Sequence, residues 1–350
     1  MPTNYDLLNR ALPRIGFRAE VVPAFPHFLQ DVVFGGRDIL GNEGSNIIGI
    51  DYKRIAPGIS KEAVFGRDPN RVNFNTGFSE KFLQTAYFFD EDVIDFNDAD
   101  ARVFGEDLGQ NKGNFARILS VTADKRDALI AGQRLALEKL CAEVLLSGKA
   151  TVNGGEQAFP MTASLLAIAG ANLLKDPVKI LAGAVKTLHT KNGNAAPRYL
   201  LMNQSDAINL LTAAEKYLAK DSWNTASAVF AEYDANGVVF DGRLSIPGAG
   251  VMEIYHYDGA IDGADLIPQG KAVILPYGGR VGSKGYSRVM SADNQMNIGI
   301  GAIAKERTTI FPSGEGDMKV TKIQQQSAPL PIITAIDGYG VITGIPASIA

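Results

Sequence analysis

One stretch limits what this 350-residue chain can become. From Thr122 to Leu146 apolar residues recur at helical spacing: Leu129, Ile130, Leu137, Leu140, Cys141, Val144 and Leu145. Lys125, Arg126, Asp127, Arg134, Glu138, Lys139 and Glu143 fill the opposite side. Thr122 is placed to cap the start, with Asp124 in the first turn, where negative charge suits the helix dipole. Gly148 offers a left-handed stop. At 1.5 Å per residue this helix is a rod of roughly 37 Å, about twice the usual globular length. Gly132, inside it, is placed for a bend or a close approach.

The segments before the rod do not look like a self-sufficient body. In residues 1–52, Pro13, Pro23 and Pro26 interrupt any helix, while Phe25, Phe28, Leu29, Val32, Val33 and Phe34 form a bulky apolar patch. Such an arm lies either on its own domain or on another surface. Residues 53–98 read as a long β-hairpin. Ile55, Ile59, Val64 and Phe65 lie on its first leg, and Phe78, Phe82, Leu83, Tyr87, Phe88 and Phe89 on its second. The turn-rich runs Gly66–Arg71 and Asn73–Gly77 make its exposed tip. A two-stranded arm is marginal alone and calls for a partner surface.

Beyond the rod the pattern mixes helix and strand. Asp176-Pro177 is a helix-starting pair followed by the stripe Val178, Leu181, Val185 and Leu188. Tyr199–Met202 reads as a short buried strand, with a helix after it from near Ser205 to Leu218. Residues 251–257 and 271–275 read as strands, and the isoleucine- and valine-rich stretch from Asn297 onward as strands separated by turns. The order is arm, hairpin, rod, mixed body and terminal strands, an α+β class without βαβ regularity.

Composition and motifs remove most chemistry. A net charge of −4 argues against a basic nucleic-acid reader, and 46% hydrophobic residues argue against bulk disorder. One cysteine excludes a disulfide framework and Cys-rich zinc sites; Cys141 fits a reducing cytoplasm. The start Met1-Pro2-Thr3-Asn4-Tyr5-Asp6 has no basic region followed by an apolar run, so no signal peptide is expected. Ala158–Leu174, the longest uncharged stretch, falls short of the ~20 residues that span a bilayer, and no membrane partner is expected.

His27, His189 and His256 are isolated in sequence, without ligand spacing. The acidic run Asp90, Glu91, Asp92, Asp95, Asp98 and Asp100 lacks the glycine and spacing of a calcium loop. Gly299–Ala304 imitates a dinucleotide fingerprint, but no βαβ unit encloses it. Gly278–Gly285 reads as a flexible basic loop, able to touch phosphate or to lie at a subunit junction. Cys141 falls on the apolar side of the rod and no G-x-S-x-G elbow exists. No catalytic, cofactor-binding or metal-ligating residue is assigned, no cofactor is expected, and the chain is not read as an enzyme. An arm, a protruding hairpin and a lone rod instead suit repeated self-association.

Three short motifs then carry a resemblance. They are Gln326-Ser327-Ala328-Pro329-Leu330 with the apolar strand after it, Leu146-Ser147-Gly148-Lys149 at the end of the rod, and Pro57-Gly58-Ile59-Ser60-Lys61-Glu62 at the start of the hairpin. A weaker one is Phe28-Leu29 with Val33-Phe34. In this order the chain resembles the lambda-type (protein E family) major capsid proteins of tailed bacteriophages, with the Hong Kong 97-type fold. The resemblance implies an N-terminal arm at 1–52, an E-loop hairpin at 53–98 and a peripheral domain with the spine helix at 99–159. It implies an axial domain at 160–298 and C-terminal strands of the peripheral domain at 299–350.

It further implies self-assembly into hexamers and pentamers that close an icosahedral shell around double-stranded DNA, formed in the host cytoplasm and ending in the virion. The implied partners are other copies of the chain, a scaffold, a portal and in some cases a decoration protein. DNA contact is expected to be weak and nonspecific. Pro331 and the Gly338–Gly344 turns depart from the family pattern and leave the register of the last strands open. An encapsulin-like cellular container and a soluble enzyme are the alternatives.

Overall fold

The apolar residues of the N-terminal arm fold into a tight π-helical turn, Leu29–Val33, in which Phe28, Leu29, Val33 and Phe34 are fully buried. The computed structural model describes residues 26–41, 47–56, 75–94, 114–192, 197–215, 237–247, 250–287, 306–313 and 320–347. Within them, the patch is covered by the subunit's own helix and sheets, including Leu137, Leu140 and Tyr257. Burial of this kind contributes about 1.5–3 kcal/mol per large side chain. This part of the arm is satisfied inside its own subunit; Phe25 lies outside the described residues.

After β1 (Ile39–Leu40), the strands β2 (Ile47–Ala56) and β3 (Asn75–Gln84) pair antiparallel over their whole length. The expected hairpin therefore exists, but it starts at Ile47, ahead of position 53. Asn75, Thr76 and Gly77, expected in the tip, instead open β3, paired with Ala56, Ile55 and Arg54; the rest of the proposed tip, together with Ile59, Val64 and Phe65, lies outside the described residues. The second leg also ends earlier than expected. Residues 85–87 break the strand, and Phe88 and Phe89 belong to β4 (Phe88–Ile94), which joins a different sheet.

The long helix α1 runs Asn114–Ser147, 34 residues or about 50 Å. Thr122 does not cap it; it is buried within the helix. Leu119, on the turn before Thr122, packs with Leu129 against Ile310 and Ile323, so tertiary contact overrides a plausible cap. The C-terminal stop is as read: Gly148 has φ 68° and its N–H donates to the Val144 carbonyl at 2.9 Å. A side chain at Gly132 would meet nothing within 4 Å, so no close approach occurs there. The chain then reverses through β5 (Lys149–Val152) and β6 (Gly155–Ala158). Asn153 (φ 50°) and Gly154 (φ 76°) form the two-residue turn that matches strand twist.

The mixed body comprises β7 (Ile168–Ala169), α2 (Pro177–Asn192), β8 (Pro197–Met202), α3 (Gln204–Ala213), β9 (Val238–Ile246), β10 (Gly250–Tyr257), β11 (Ala260–Ile261), β12 (Ala264–Asp265) and β13 (Lys271–Pro276). The Asn203 side chain caps α3, accepting from the Ser205 N–H at 3.1 Å. Then follow β14 (Gly282–Tyr286), β15 (Glu306–Ser313), β16 (Val320–Ser327), β17 (Pro329–Ile333) and β18 (Gly340–Thr343).

Six strands in the order β7-β18-β13-β8-β10-β9 form one sheet, with β10 parallel to β8 and β13 antiparallel to it. Leu200, Ile254, Ile274 and Ile342 from this sheet share a core with Leu181 and Leu188 of α2 and Leu210 of α3. Tyr199, Tyr255, Val273 and Val341 share the other core with the N-terminal turn and α1.

Two smaller sheets, β15-β16-β4 and β1-β14-β17, complete the frame. Strands from both sides of position 298 share a sheet in each case. β14 sits beside β17, while β18 returns to the six-stranded sheet against β13 and β7. Pro331 lies in β17, an edge strand, where a missing N–H costs no ladder bond, and it pairs with Lys284 in unbroken register.

Gly282-Ser283-Lys284-Gly285 is not a loop at all but the centre strand β14. A Cβ on Gly282 would come 2.2 Å from the Ile332 carbonyl, and one on Gly285 would come 2.4 Å from the Ile332 side chain. These glycines serve close strand approach, not flexibility.

Candidate functional site

Ten residue pairs, from Ile47↔Gln84 to Ala56↔Asn75, make the β2–β3 ribbon, and no third strand joins it among the described residues. At about 3.4 Å per residue it reaches some 34 Å. Its root is anchored: Ile48 and Leu83 are buried, and Tyr52 Oη donates to the Ile333 carbonyl at 3.4 Å. Burial pushes the Tyr52 hydroxyl up to about 12. Nearby the surface turns apolar. Of nine exposed large hydrophobics among the described residues, five (Leu40, Ile47, Phe82, Tyr87 and Phe89) lie on or beside the ribbon and β4, and Phe82 is 67% exposed. Tyr87 and Phe89 stack with ring centres 6.1 Å apart. Concentration of apolar side chains on one region marks a surface for another chain.

The root sits on a polar joint. The Thr85 and Ser287 hydroxyls meet at 2.6 Å, the Ala86 N–H donates to the Pro329 carbonyl at 3.1 Å, and the Ser287 N–H donates to that of Ala328 at 3.0 Å. From α1, Gln133 donates to Asp90 Oδ2 at 2.8 Å and to the Gln325 carbonyl at 2.9 Å, and accepts from Ser327 Oγ at 2.7 Å. The motif Gln326–Leu330 is thus the buried crossing between two sheets, directly beneath the ribbon.

A second junction centres on Glu138, which is 0% exposed. Its Oε1 accepts from the Leu29 N–H and from Tyr257 Oη, both at 2.7 Å, and its Oε2 accepts from the Gln30 N–H at 2.9 Å. A carboxylate from α1 therefore caps the N-terminal turn and holds β10 through a tyrosine. Burial raises the Glu138 carboxyl above its ordinary value, opposed by these three hydrogen bonds. The sequence reading put Glu138 on the solvated side. Its neighbours at i+3, i+4 and i+7 (Cys141, Ala142 and Leu145) are apolar, and that signal could have found it.

The other singled-out residues stay apart. His189 is exposed near the end of α2, His27 lies 3.8 Å from Asp31, and His256 Nδ1 is 2.7 Å from Asp241 Oδ1. Asp90 is held by Gln133, Glu91 by Lys322 and Gln324, and Asp92 by Lys125; Asp95, Asp98 and Asp100 lie outside the described residues. The hydrogen bond from Lys322, then that from Gln324, holds Glu91 below the usual carboxylate value. Gly299–Ala304 also lies outside them. Cys141 is fully buried and its thiol is raised by that burial. Among the described residues no group of three or more His, Cys, Asp or Glu could hold a metal ion, and no helix is long and apolar enough to cross a membrane.

The sequence pattern of the phage major capsid protein E family matches residues 60–339. The chain belongs to that family. The capsid protein is similar in fold to a prophage capsid protein from E. coli CFT073, with a TM-score of 0.67 and 16% identity over 98% of this chain and 99% of the other. The capsid asymmetric unit of cyanophage A-1(L) matches with a TM-score of 0.53 and 12% identity over 95% and 97% of the two chains. Identities this low establish shared fold. No curated protein matches the chain. The fold is the Hong Kong 97-type α+β capsid fold, and the capsid protein is a shell subunit of the virion that associates with copies of itself.

Proposed function

We propose that this subunit forms hexameric and pentameric capsomers that close an icosahedral head around packaged double-stranded DNA. In this reading residues 1–52 are the N-terminal arm, and the hairpin lies over a neighbouring subunit. Residues 99–159, with α1, belong to the peripheral domain, 160–298 to the axial domain around capsomer axes, and 299–350 return to the peripheral domain. Assembly takes place in the host cytoplasm with a scaffold and a portal; a decoration protein is optional.

The β2–β3 ribbon carries this reading, since it pairs only with itself among the described residues. A two-stranded ribbon is marginal in water, and its open edges invite pairing unless another surface covers them. DNA contact is weak and nonspecific, because a net charge of −4 supplies no excess of Lys and Arg to release counterions from phosphates.

Negative-stain microscopy of the purified full chain, with and without its candidate scaffold, tests the reading. Closed shells of megadalton mass, or free pentameric and hexameric capsomers, are expected. A monodisperse monomer or an oligomer smaller than a pentamer under both conditions overturns it, and shells carrying protein cargo in place of DNA transfer it to a cellular container.

A further inference from the structure

One side-chain amide grips the root of the ribbon. Gln84, the last residue of β3, lies opposite Ile47, and its backbone groups face away from β2. Its N–H donates to Gln157 Oε1 at 2.6 Å, and its carbonyl accepts from Gln157 Nε2 at 3.0 Å. An amide side chain carries both a donor and an acceptor, so Gln157 satisfies Gln84 as a paired strand residue would. Further along β3, Lys81 Nζ donates to the Ala158 carbonyl at 2.8 Å. Gln157 and Ala158 belong to β6, which follows α1 through Gly148 and is tied back to it by the Phe159 N–H donating to the Gly148 carbonyl at 2.9 Å. A short path of hydrogen bonds thus runs from the end of α1 to the outer edge of β3.

The buried root side chains Ile48 and Leu83 hold the ribbon in place without fixing its angle, because apolar burial is non-directional, and the Tyr52 hydrogen bond to the Ile333 carbonyl is long at 3.4 Å. Hydrogen bonds are directional and weaken steeply when bent. With a lever of about 34 Å, a rotation of about 10° at the root moves the far end by roughly 6 Å.

We propose that Gln157 is a positioning residue that sets the direction in which the β2–β3 ribbon leaves the subunit, and through it the angle between neighbouring subunits. The second clause rests on the reading that the ribbon reaches a neighbour; the first does not.

Spin labels at E80C and K139C, on unassembled full-length subunits, report the direction; Cys141 is buried and stays unlabelled. Pulsed EPR is expected to give one narrow distance distribution with Gln157 present and one at least twice as broad in Q157A, at unchanged melting temperature. Q157E keeps the acceptor but offers no donor to the Gln84 carbonyl and is expected to fall between; it carries the test alone if Q157A does not fold. Exchange of the Gln84 amide is expected to quicken about fivefold in Q157A, the effect of one lost hydrogen bond, while that of Leu83 is unchanged. An unchanged distance distribution in folded Q157A overturns the proposal.

In assembled material Q157A is expected to give particles of mixed diameter, and uniform particles of the parent size overturn the second clause. Failure of the parent protein to form any particle counts against the shell reading, and the distance measurement still decides the first clause.

Discussion

In the six-stranded sheet the central strands β18, β13, β8 and β10 each have two ladder partners, and residues of both faces enter fully buried cores. In the β2–β3 ribbon each strand has one ladder partner among the described residues, and the buried side chains Ile48, Tyr52 and Leu83 lie toward its root. What separates them is how much of their surface the same chain can cover. The body answers its own hydrophobic and hydrogen-bonding needs; in the proposed reading the ribbon turns to another copy for the same purpose.

The sharpest way to break the self-sufficient side is Leu140→Asp. Leu140 is buried between α1 and the main core, so an unpaired charge there is expected to leave no cooperatively folded subunit, read by the loss of a thermal transition. The ribbon should answer in the opposite way. Replacing residues 53–78 with a Gly-Ser turn keeps the Tyr52↔Ser79 pair and the anchored root. Melting is expected to stay near that of the parent while shells disappear from sedimentation profiles. Normal particles from this variant would remove the ribbon from the assembly surface.

Glu138→Ala tests the junction that fastens the arm to the body. It strands two backbone N–H groups and the Tyr257 hydroxyl in the interior, and a loss of about 3 kcal/mol or more in urea unfolding is expected. The smallest effect is expected at His256. Burial disfavours its imidazolium, but the hydrogen bond and charge of Asp241, joined by Asp258, outweigh this and raise it above its ordinary value. A raised histidine contributes stability that is complete below the unfolded value, near pH 6.5, and is lost as pH rises through the folded one. The melting temperature of the parent should therefore fall as pH is raised from 6 to 8.5, and His256→Gln should flatten part of that fall.

Local patterns in the sequence were legible where local physics decides. The rod, its Gly148 stop, the Asp176-Pro177 start of α2 and the strands β8, β10 and β13 all follow from periodicity and capping. Partners were not legible, because pairing is non-local. Nothing in residues 340–343 says that they return to β13, and nothing in Phe88–Ile94 says that β4 leaves the hairpin for β16. The arm's apolar patch could be seen, but not that its own subunit covers it. Two misreadings came from trusting residue type over context. Gly282 and Gly285 looked flexible but allow crowding, and Glu138 looked solvated but is a buried cap. Asn153-Gly154 was the unused signal for the β5–β6 hairpin that brings Gln157 to the ribbon.

The Glu138 junction also has a consequence for timing. Its partners lie 109 and 119 residues away on opposite sides in sequence, so a growing chain cannot complete it until Tyr257 has left the ribosome. The turn at Leu29, made before both Glu138 and Tyr257, must wait for them before its final dock exists, and contacts of such long separation form slowly. A newly made subunit thus passes through an interval with its greasy arm undocked, when holding it apart from other nascent copies matters most.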